Sequence, residues 1–496
     1  MAVIEQVASH LRAVLEQGLA GLCQAGLILQ QNQGGQRQFV FRHPIIQEVT
    51  YSMQLKVRRV ALHGAVAQVM EAYHQDRLDE FAGLIAYHYE AAQEFWASAE
   101  YTARAARWIG VTDSAQGIKQ WHKVRELLQG QEREPKVDRL RAMACSKIVF
   151  LGWRQGLRIE AAQPLIDEAV NLAKDVDPRL IELLLFVEGR MGQANGGPAD
   201  AYVGKMHSAI DLQVRPAGSG RATTLRAALC QAYGWAGLLR EALSANDDAL
   251  DGIGNVDRFD EEFVGFSIGH WLLGMRGRLF VRMGCFDEAK ECFQTLLNSG
   301  GQSLDPVLLQ IAHFGYVDLG WSSGNVDLAE HHSMIVVGIA EKSGSPYMRV
   351  FALACVALAK LAAGAYSEAL KALVEALSTI RNGNVAMEME TEILASLAEC
   401  HACMNALGIA MKFADEAVSL SRQRNSRLPE CRALMIKGGA LMRRNGPGDA
   451  DEAKLLFDEA ARLIELTGAS SYHAILERNR AWGMLSADLG LGARSA

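Results

Sequence analysis

The sequence predicts an all-α fold: a solenoid of stacked helix hairpins with a period of about 40 residues, behind a short N-terminal segment that carries a small β-hairpin. Three observations carry that expectation. Half of the 496 residues are apolar but only 7% are aromatic, and 46 glycines stand against 10 prolines, which is the balance of an Ala/Leu-rich helical chain. A glycine stands five residues ahead of an alanine at Gly237 and Ala242, Gly284 and Ala289, Gly324 and Ala329, and Gly364 and Ala369. The frame continues through Ala410 and Ala453, so successive alanines lie 47, 40, 40, 41 and 43 residues apart.

In chain order, residues 11–30 place apolar side chains at helical spacing up to Gly26 and then give way to Leu27-Ile28-Leu29. A polar turn from Asn32 to Gly35 leads to a second strand-like run, Gln38 to Phe41. Pro44 suits the first position of a helix, which makes His43 the cap of a helix from Ile45 to Lys56. Leu62, Ala65, Val66, Val69, Met70 and Tyr73 then mark one face of a long helix, and residues 85–106 read as a further helix pair. The expected organisation is residues 1–55, 56–130 as linking helices, 131–470 as repeats, and 471–496 as a capping helix and tail, the capping helix running from Ser471 to Leu489.

Within the repeats, residues 271–297 place Leu273, Gly277 and Phe280 on one helix, break at Gly284, and resume with Ala289, Phe293 and Leu296. Two antiparallel helices approach closely only where one presents a small side chain, and glycine allows φ > 0 at a helix end. Alanine is therefore expected at the contact and glycine at the corner. Pro306, Pro346 and Pro429 stand just ahead of first helices, where a missing N–H costs nothing. Residues 151–173 and 178–212 read as two degenerate units, with Gly156 ahead of Ala161 and Gly196-Gly197 ahead of Pro198.

Leu273, Gly277, Phe280, Gly284, Ala289 and Phe293 resemble the tetratricopeptide hairpin, with Ser333 standing where the next unit should carry an aromatic residue. The order helix, strand, turn, strand over residues 11–41 resembles the second half of a winged helix, so the chain is expected to begin inside a domain. Phe41-Arg42-His43, Gln47, Tyr51, Arg58-Arg59, Leu62-His63 and Tyr87-His88-Tyr89 resemble the segment that joins winged helix to helical repeats in signal-transduction ATPases with numerous domains. The likeness is to bacterial proteins that join a class III nucleotide cyclase, an ATPase and tetratricopeptide repeats. That resemblance implies a nucleotide-sensing contact for His43, to the β-phosphate, once an ATPase domain is supplied. Pro44 stands where the family often has an acidic residue, and the chain has no G-x-x-x-x-G-K-[ST] loop of its own. His43 is thus either a corner residue or a latent switch contact.

Composition excludes several classes. A formal charge of −7 argues against nucleic-acid binding, and the Lys56-Val57-Arg58-Arg59 cluster is too short to reverse that. Glu5 and His10 interrupt any signal-like run, and the longest apolar stretch, Val350 to Ala359, is half a membrane span, so a cytosolic protein with no membrane partner is expected. Cys400 and Cys403 share a helix face without two further zinc ligands, which reads as buried apolar cysteine. The G-x-S-x-G matches at Gly265–Gly269 and Gly320–Gly324 lie in helical units instead of a strand-to-helix turn. Adjacent His331 and His332 point about 100° apart on a helix, and the glutamates at 388–392 read as a solvated helix start. No catalytic residue, cofactor or metal is expected.

What remains is the surface lined by first helices. Trp235, Trp271 and Trp321 fall at groove positions with Arg278, Arg282 and Asp318 nearby, and tryptophan and arginine dominate binding hot spots. Either these tryptophans, at least two of them partly exposed, hold a protein or peptide in the concave groove, such as a cognate ATPase or cyclase, or they fill gaps between repeats. The expected role is a noncatalytic interaction and regulatory sensor module of a signal-transduction ATPase or nucleotide cyclase system. The alternatives are a small-molecule inducer-binding regulator, and a fragment of a full-length adenylate or guanylate cyclase with an ATPase domain.

Overall fold

Positive backbone φ falls where the sequence places its hairpin corners. The computed structural model describes residues 2–8, 12–33, 36–110, 113–177, 179–212, 220–300 and 304–488. They form two units, Met1–Ile109 with Gln116–Ala144, and Gly110–Ala115 with Cys145–Ala496. The described residues are helical apart from one two-stranded sheet and connecting turns.

In the second unit Gly237, Gly284, Gly324, Gly364 and Gly448 all have φ between 71° and 81°, and Asn405 holds the same place at φ 62°. Each precedes a fully buried alanine by five residues: Ala242, Ala289, Ala329, Ala369, Ala410 and Ala453 are all 0% exposed. Asn405 fits because asparagine tolerates the left-handed region better than other residues with a side chain. Upstream the spacing shifts by one. Gly156 does have φ 80°, but Ala162 is buried and Ala161 is exposed, because the turn after Gly156 carries one more residue before the contact.

The position four residues after each alanine fills the hairpin. Phe293 is wholly buried, and a Cβ at Gly277 or Gly315 would come within 2.4 Å or 2.1 Å of its ring. Those two glycines, on helices Ile268–Met283 and Pro306–Ser323, make the slot for this ring. In the next unit Ser333 is buried and donates to the Glu330 carbonyl instead.

The array also closes on itself. Arg190 meets Glu388 at 2.5 Å, Asn384 meets Asn195 at 2.9 Å, Arg427 donates to the Ala236 carbonyl at 2.8 Å, and Arg282 donates to the Tyr472 hydroxyl at 2.6 Å. These partners are 189 to 198 residues apart, so a second superhelical turn rests on the first. The corner glycines permit the approach: a Cβ on Gly156 would lie 2.2 Å from the Gly383 carbonyl oxygen. The expected capping helix is observed as Tyr472–Asp488; Leu489 lies outside the described residues.

In the first unit a helix Arg12–Gln24 leads through Gly26, φ 69°, into antiparallel strands Ile28–Gln33 and Gln36–Phe41, with Ile28 opposite Phe41. The next helix is Pro44–Ser52, shorter than the expected Ile45 to Lys56. Thr50 and Ser52 turn their hydroxyls back onto the Ile46 and Val49 carbonyls, and Leu55 is extended at ψ 140° before Lys56–Tyr73 begins. The buried face of that long helix is Gly64, Ala67 and Met70, whereas Leu62 and Tyr73 are exposed. That face meets the next hairpin, where a Cβ on Gly64 would lie 3.1 Å from Glu94 Oε1 and 3.6 Å from Ala92 Cβ. Helices Leu78–Ala91 and Phe95–Ile109 repeat the hairpin layout, with Gln93 at φ 64° and Ser98, five residues on, fully buried and bonded to the Ala86 carbonyl.

Candidate ligand site in the solenoid lumen

A helix that lines the inside of a superhelix must bury its inward face without a neighbouring layer to fill the centre, so bulky aromatic residues and long arginines meet there. In the second unit they leave a cavity of about 170 Å³. Trp235, Trp271, Arg278 and Arg282 line it, and Trp235, Arg278, Arg282 and Trp321 line a smaller cavity of about 40 Å³. All five residues selected from the sequence therefore face the lumen.

Their exposure departs from expectation. Trp271 is 3% exposed and Trp321 9%, so only Trp235 is half-buried. Trp271 packs edge-on to Phe266 at 5.7 Å and tilted to Phe186 at 6.2 Å, and the Arg432 guanidinium lies 4.6 Å from the Trp321 ring centre. Both serve the core while contributing wall, because the closed second turn covers what an open groove would leave bare.

The charges fall into pairs and a remainder. Arg190 donates to Glu388 at 2.5 Å and to the Tyr347 hydroxyl at 3.2 Å. Burial opposes the Arg190 charge, but Glu388 more than offsets it and the guanidinium is held above its ordinary range. Arg282 is likewise opposed by burial and held up by Asp318, 3.0 Å away and wholly buried. Neither Asp318 oxygen accepts an aligned hydrogen bond, so the pair is coulombic. Arg432 pairs with Glu399 at 2.6 Å and approaches Glu392 at 3.6 Å.

Arg154 and Arg278 have no such partner among the described residues. Arg154 is 4% exposed, makes one hydrogen bond, Nη1 to the Phe150 carbonyl at 3.3 Å, and leaves Nε unbonded. Burial pushes its guanidinium down to about 10, with the neighbouring Arg190 charge adding to the effect while Tyr347 and Asp305 oppose it. Arg278 lies 4.4 Å above the Phe314 ring, also leaves Nε unbonded, and is pulled down chiefly by burial. Trp153 is covered by both Arg154 and Arg190, at 4.4 Å and 4.1 Å from its ring centre.

Arg154, Arg190 and Tyr347 were not singled out from the sequence, and Glu388 and Glu392 were read there only as part of a solvated helix start. Glu388 and Glu390 are 6% and 5% exposed, so the expected solvated helix start is instead a buried acidic cluster facing Arg190, Arg381 and Arg424. Local sequence points the other way, since the partner of Glu388 is 198 residues distant. His43 is exposed, extended at φ −134°, and makes no side-chain cap bond at the start of Pro44–Ser52. Ser267 of the first G-x-S-x-G match precedes a helix, and Ser322 of the second lies inside one. Cys400 is buried and Cys403 half-buried, both as free thiols. Among the described residues, no helix is long and apolar enough to cross a membrane.

No family model and no curated protein matches the sequence. Among solved structures, the chain is similar to a Rap protein complexed with competence and sporulation factor, at 12% identity over 80% of this chain and 97% of that one, with a TM-score of 0.40. It is similar to the APC/C hetero-tetramer Cut9–Hcn1 at 11% identity, over 87% and 85% of the two chains, TM-score 0.43. It is also similar to a signal transduction ATPase with numerous domains that carries a tetratricopeptide repeat sensor, from Pyrococcus horikoshii, at 12% identity over 82% of this chain and 62% of that one, TM-score 0.39. By its own helix order, positive-φ corners and buried contact alanines, the second unit is a tetratricopeptide-like helical repeat.

Proposed function

We propose that the chain is a noncatalytic regulatory sensor whose superhelix holds a small ligand, or the end of a peptide, in its lumen. The observation that carries this reading is the cavity of about 170 Å³ lined by aromatic rings and arginines at the centre of the closed repeat array. An apolar cavity of about 150 Å³ already takes up benzene. The ties between turns, such as Arg190 to Glu388 and Arg427 to Ala236, give a ligand bonds to strengthen or loosen, and so a route from occupancy to shape. The resemblance of residues 39–106 supports a switch ATPase or nucleotide cyclase as the output partner, met at the exposed His43 and Tyr51 side of the first unit.

The test fills the cavity. A Cβ on Gly234, which lines it, would meet only Leu279 Cδ2 at 4.0 Å, so Gly234→Leu occupies space without backbone strain and removes a mid-helix glycine. The wild type should take up indole, measured by saturation-transfer NMR, and the variant should not while melting no lower. Uptake unchanged by the variant, or no uptake by the wild type, defeats the reading.

A further inference from the structure

Resting on that reading, the lumen also specifies the charge of its occupant. Four arginines line the larger cavity, Arg154, Arg190, Arg278 and Arg282, against two carboxylates, Glu388 and Glu392. Glu388 is engaged by Arg190, and Arg282 by Asp318. Glu392 approaches Arg432 at 3.6 Å. Arg154 is left as a buried cation and Arg278 as a half-buried one, with no carboxylate within 4.0 Å of either among the described residues, Asp305 and Asp318 acting on them only from farther away. Isolated buried charge is expensive unless something neutralises it.

Unused hydrogen-bond capacity collects at the same place. Arg154 Nε, Arg278 Nε and Arg190 Nη1 are buried donors without partners. The Tyr347 oxygen accepts from Arg190, and its own proton has no acceptor among the described residues. Tyr347 lies within electrostatic reach of Arg154, Arg190 and Arg278 together, and burial drives its own hydroxyl away from ionising. Native structures leave few buried polar groups unsatisfied, so a cluster of them beside one cavity suits a polar occupant there. Glu388 Oε2 is a buried acceptor in the same cavity that has no hydrogen bond.

We infer that the lumenal site takes an apolar ligand bearing a carboxylate, with Arg154, Arg278 and the Tyr347 hydroxyl receiving the carboxylate and the aromatic wall about Trp235 and Phe314 receiving its body. Guanidinium groups suit this task because their fixed fork matches a carboxylate edge. Glu388 Oε2 then accepts an N–H from the same ligand. Two sources share this chemistry: a free organic acid, and the C-terminus of an apolar peptide.

The test compares acid and amide forms of one apolar body on the full chain, by calorimetry and saturation-transfer NMR. One pair is indole-3-acetate and indole-3-acetamide; the other is the peptide Gly-Gly-Trp and its C-terminal amide. A hydrogen bond to a charged group is worth enough that the acid should bind at least about tenfold more tightly than the amide. Arg154→Met and Arg278→Met, which keep stem and remove charge, should erase that preference. A preference confined to the small pair identifies a free acid as the source, and one confined to the peptide pair identifies a chain terminus. Equal binding of acid and amide overturns the anion assignment and leaves the lumenal site standing; no binding by any of the four, nor by indole, overturns the lumenal site as well. Should the arginine variants fail to fold, Gly234→Glu and Gly234→Gln read the same field from inside. The Glu variant should melt higher at neutral pH than the Gln variant, and the reverse order overturns the assignment.

Discussion

Arg190 and Glu388, 198 residues apart in the chain, meet at 2.5 Å with side chains that are 3% and 1% exposed. A buried pair of this kind is worth little against an apolar pair of the same shape, but losing one member leaves the other charged in the interior. Glu388→Ala should cost about 3–5 kcal/mol, read from urea unfolding. The double variant Arg190→Met with Glu388→Leu should recover most of that. A single variant within about 1 kcal/mol of wild type would mean that Arg190 finds other solvation.

The slot for Phe293 makes a second prediction. A methyl group on Gly315 would stand 2.1 Å from the Phe293 ring, so Gly315→Ala should destabilise by about 1–3 kcal/mol although it improves helix propensity. Adding Phe293→Leu should give back part of the loss, and a thermodynamic cycle showing simple additivity would contradict the slot.

His313 and His332 pair through their Nδ1 atoms at 2.8 Å, one donating and the other accepting. Burial above all, then neighbouring imidazole, holds both rings down to about 4, below the ordinary histidine range near 6.5. The unfolded chain takes up protons from about pH 6.5 downward while the folded chain does not. The stability these rings contribute is thus complete above about pH 6.5 and is lost as pH falls toward 4. Replacing both with asparagine should flatten the fall in stability over that interval, and an unchanged slope would count against the pair.

Trp235 and Trp271 should separate in their effects. Trp271→Ala should cost about 3–5 kcal/mol of stability, because its ring is a core element between Phe266 and Phe186. Trp235→Ala should cost less and weaken indole uptake, since only this tryptophan of the three retains appreciable exposure. Melting curves and uptake on both variants check the order.

The first unit carries the last prediction. Helix Pro44–Ser52 has no buried residue, and Ile45, Met53, Leu55 and Val57 are 66–82% exposed. Its amides should exchange with solvent faster than those of Ile268–Met283 and Pro346–Ala362, whose faces are packed on both sides. Equal protection would reject this.

The repeat was readable because its corners and contacts are local events. Gly237 and Ala242 lie five residues apart, and the positive φ of one and the burial of the other belong to a single hairpin, even though Gly237 also leaves room for Arg427 and Leu428. The corner at Asn405 was visible only through its alanine, because an asparagine at positive φ leaves a weaker mark than glycine. The lumen was half legible. Trp235, Arg278 and Arg282 announce themselves by type and position on first helices, whereas Arg154, Tyr347 and Glu388 join the site through the pitch of the superhelix, which no short window encodes. The same lack misplaced Leu62 and Tyr73, since periodicity marks an apolar stripe but a neighbour's close approach selects the small residues beside it.

Most solenoids gain or lose a unit with little harm, because each repeat touches only the next. The bonds that span 189 to 198 residues remove that freedom here. Inserting one hairpin between Ala236 and Asn384 would carry every later partner about 40 residues out of phase and strand Arg190, Asn195 and the Ala236 carbonyl together. The bonds between turns therefore tie this chain to its own number of units, so that the array is a ring with a fixed count of members instead of an extensible rod.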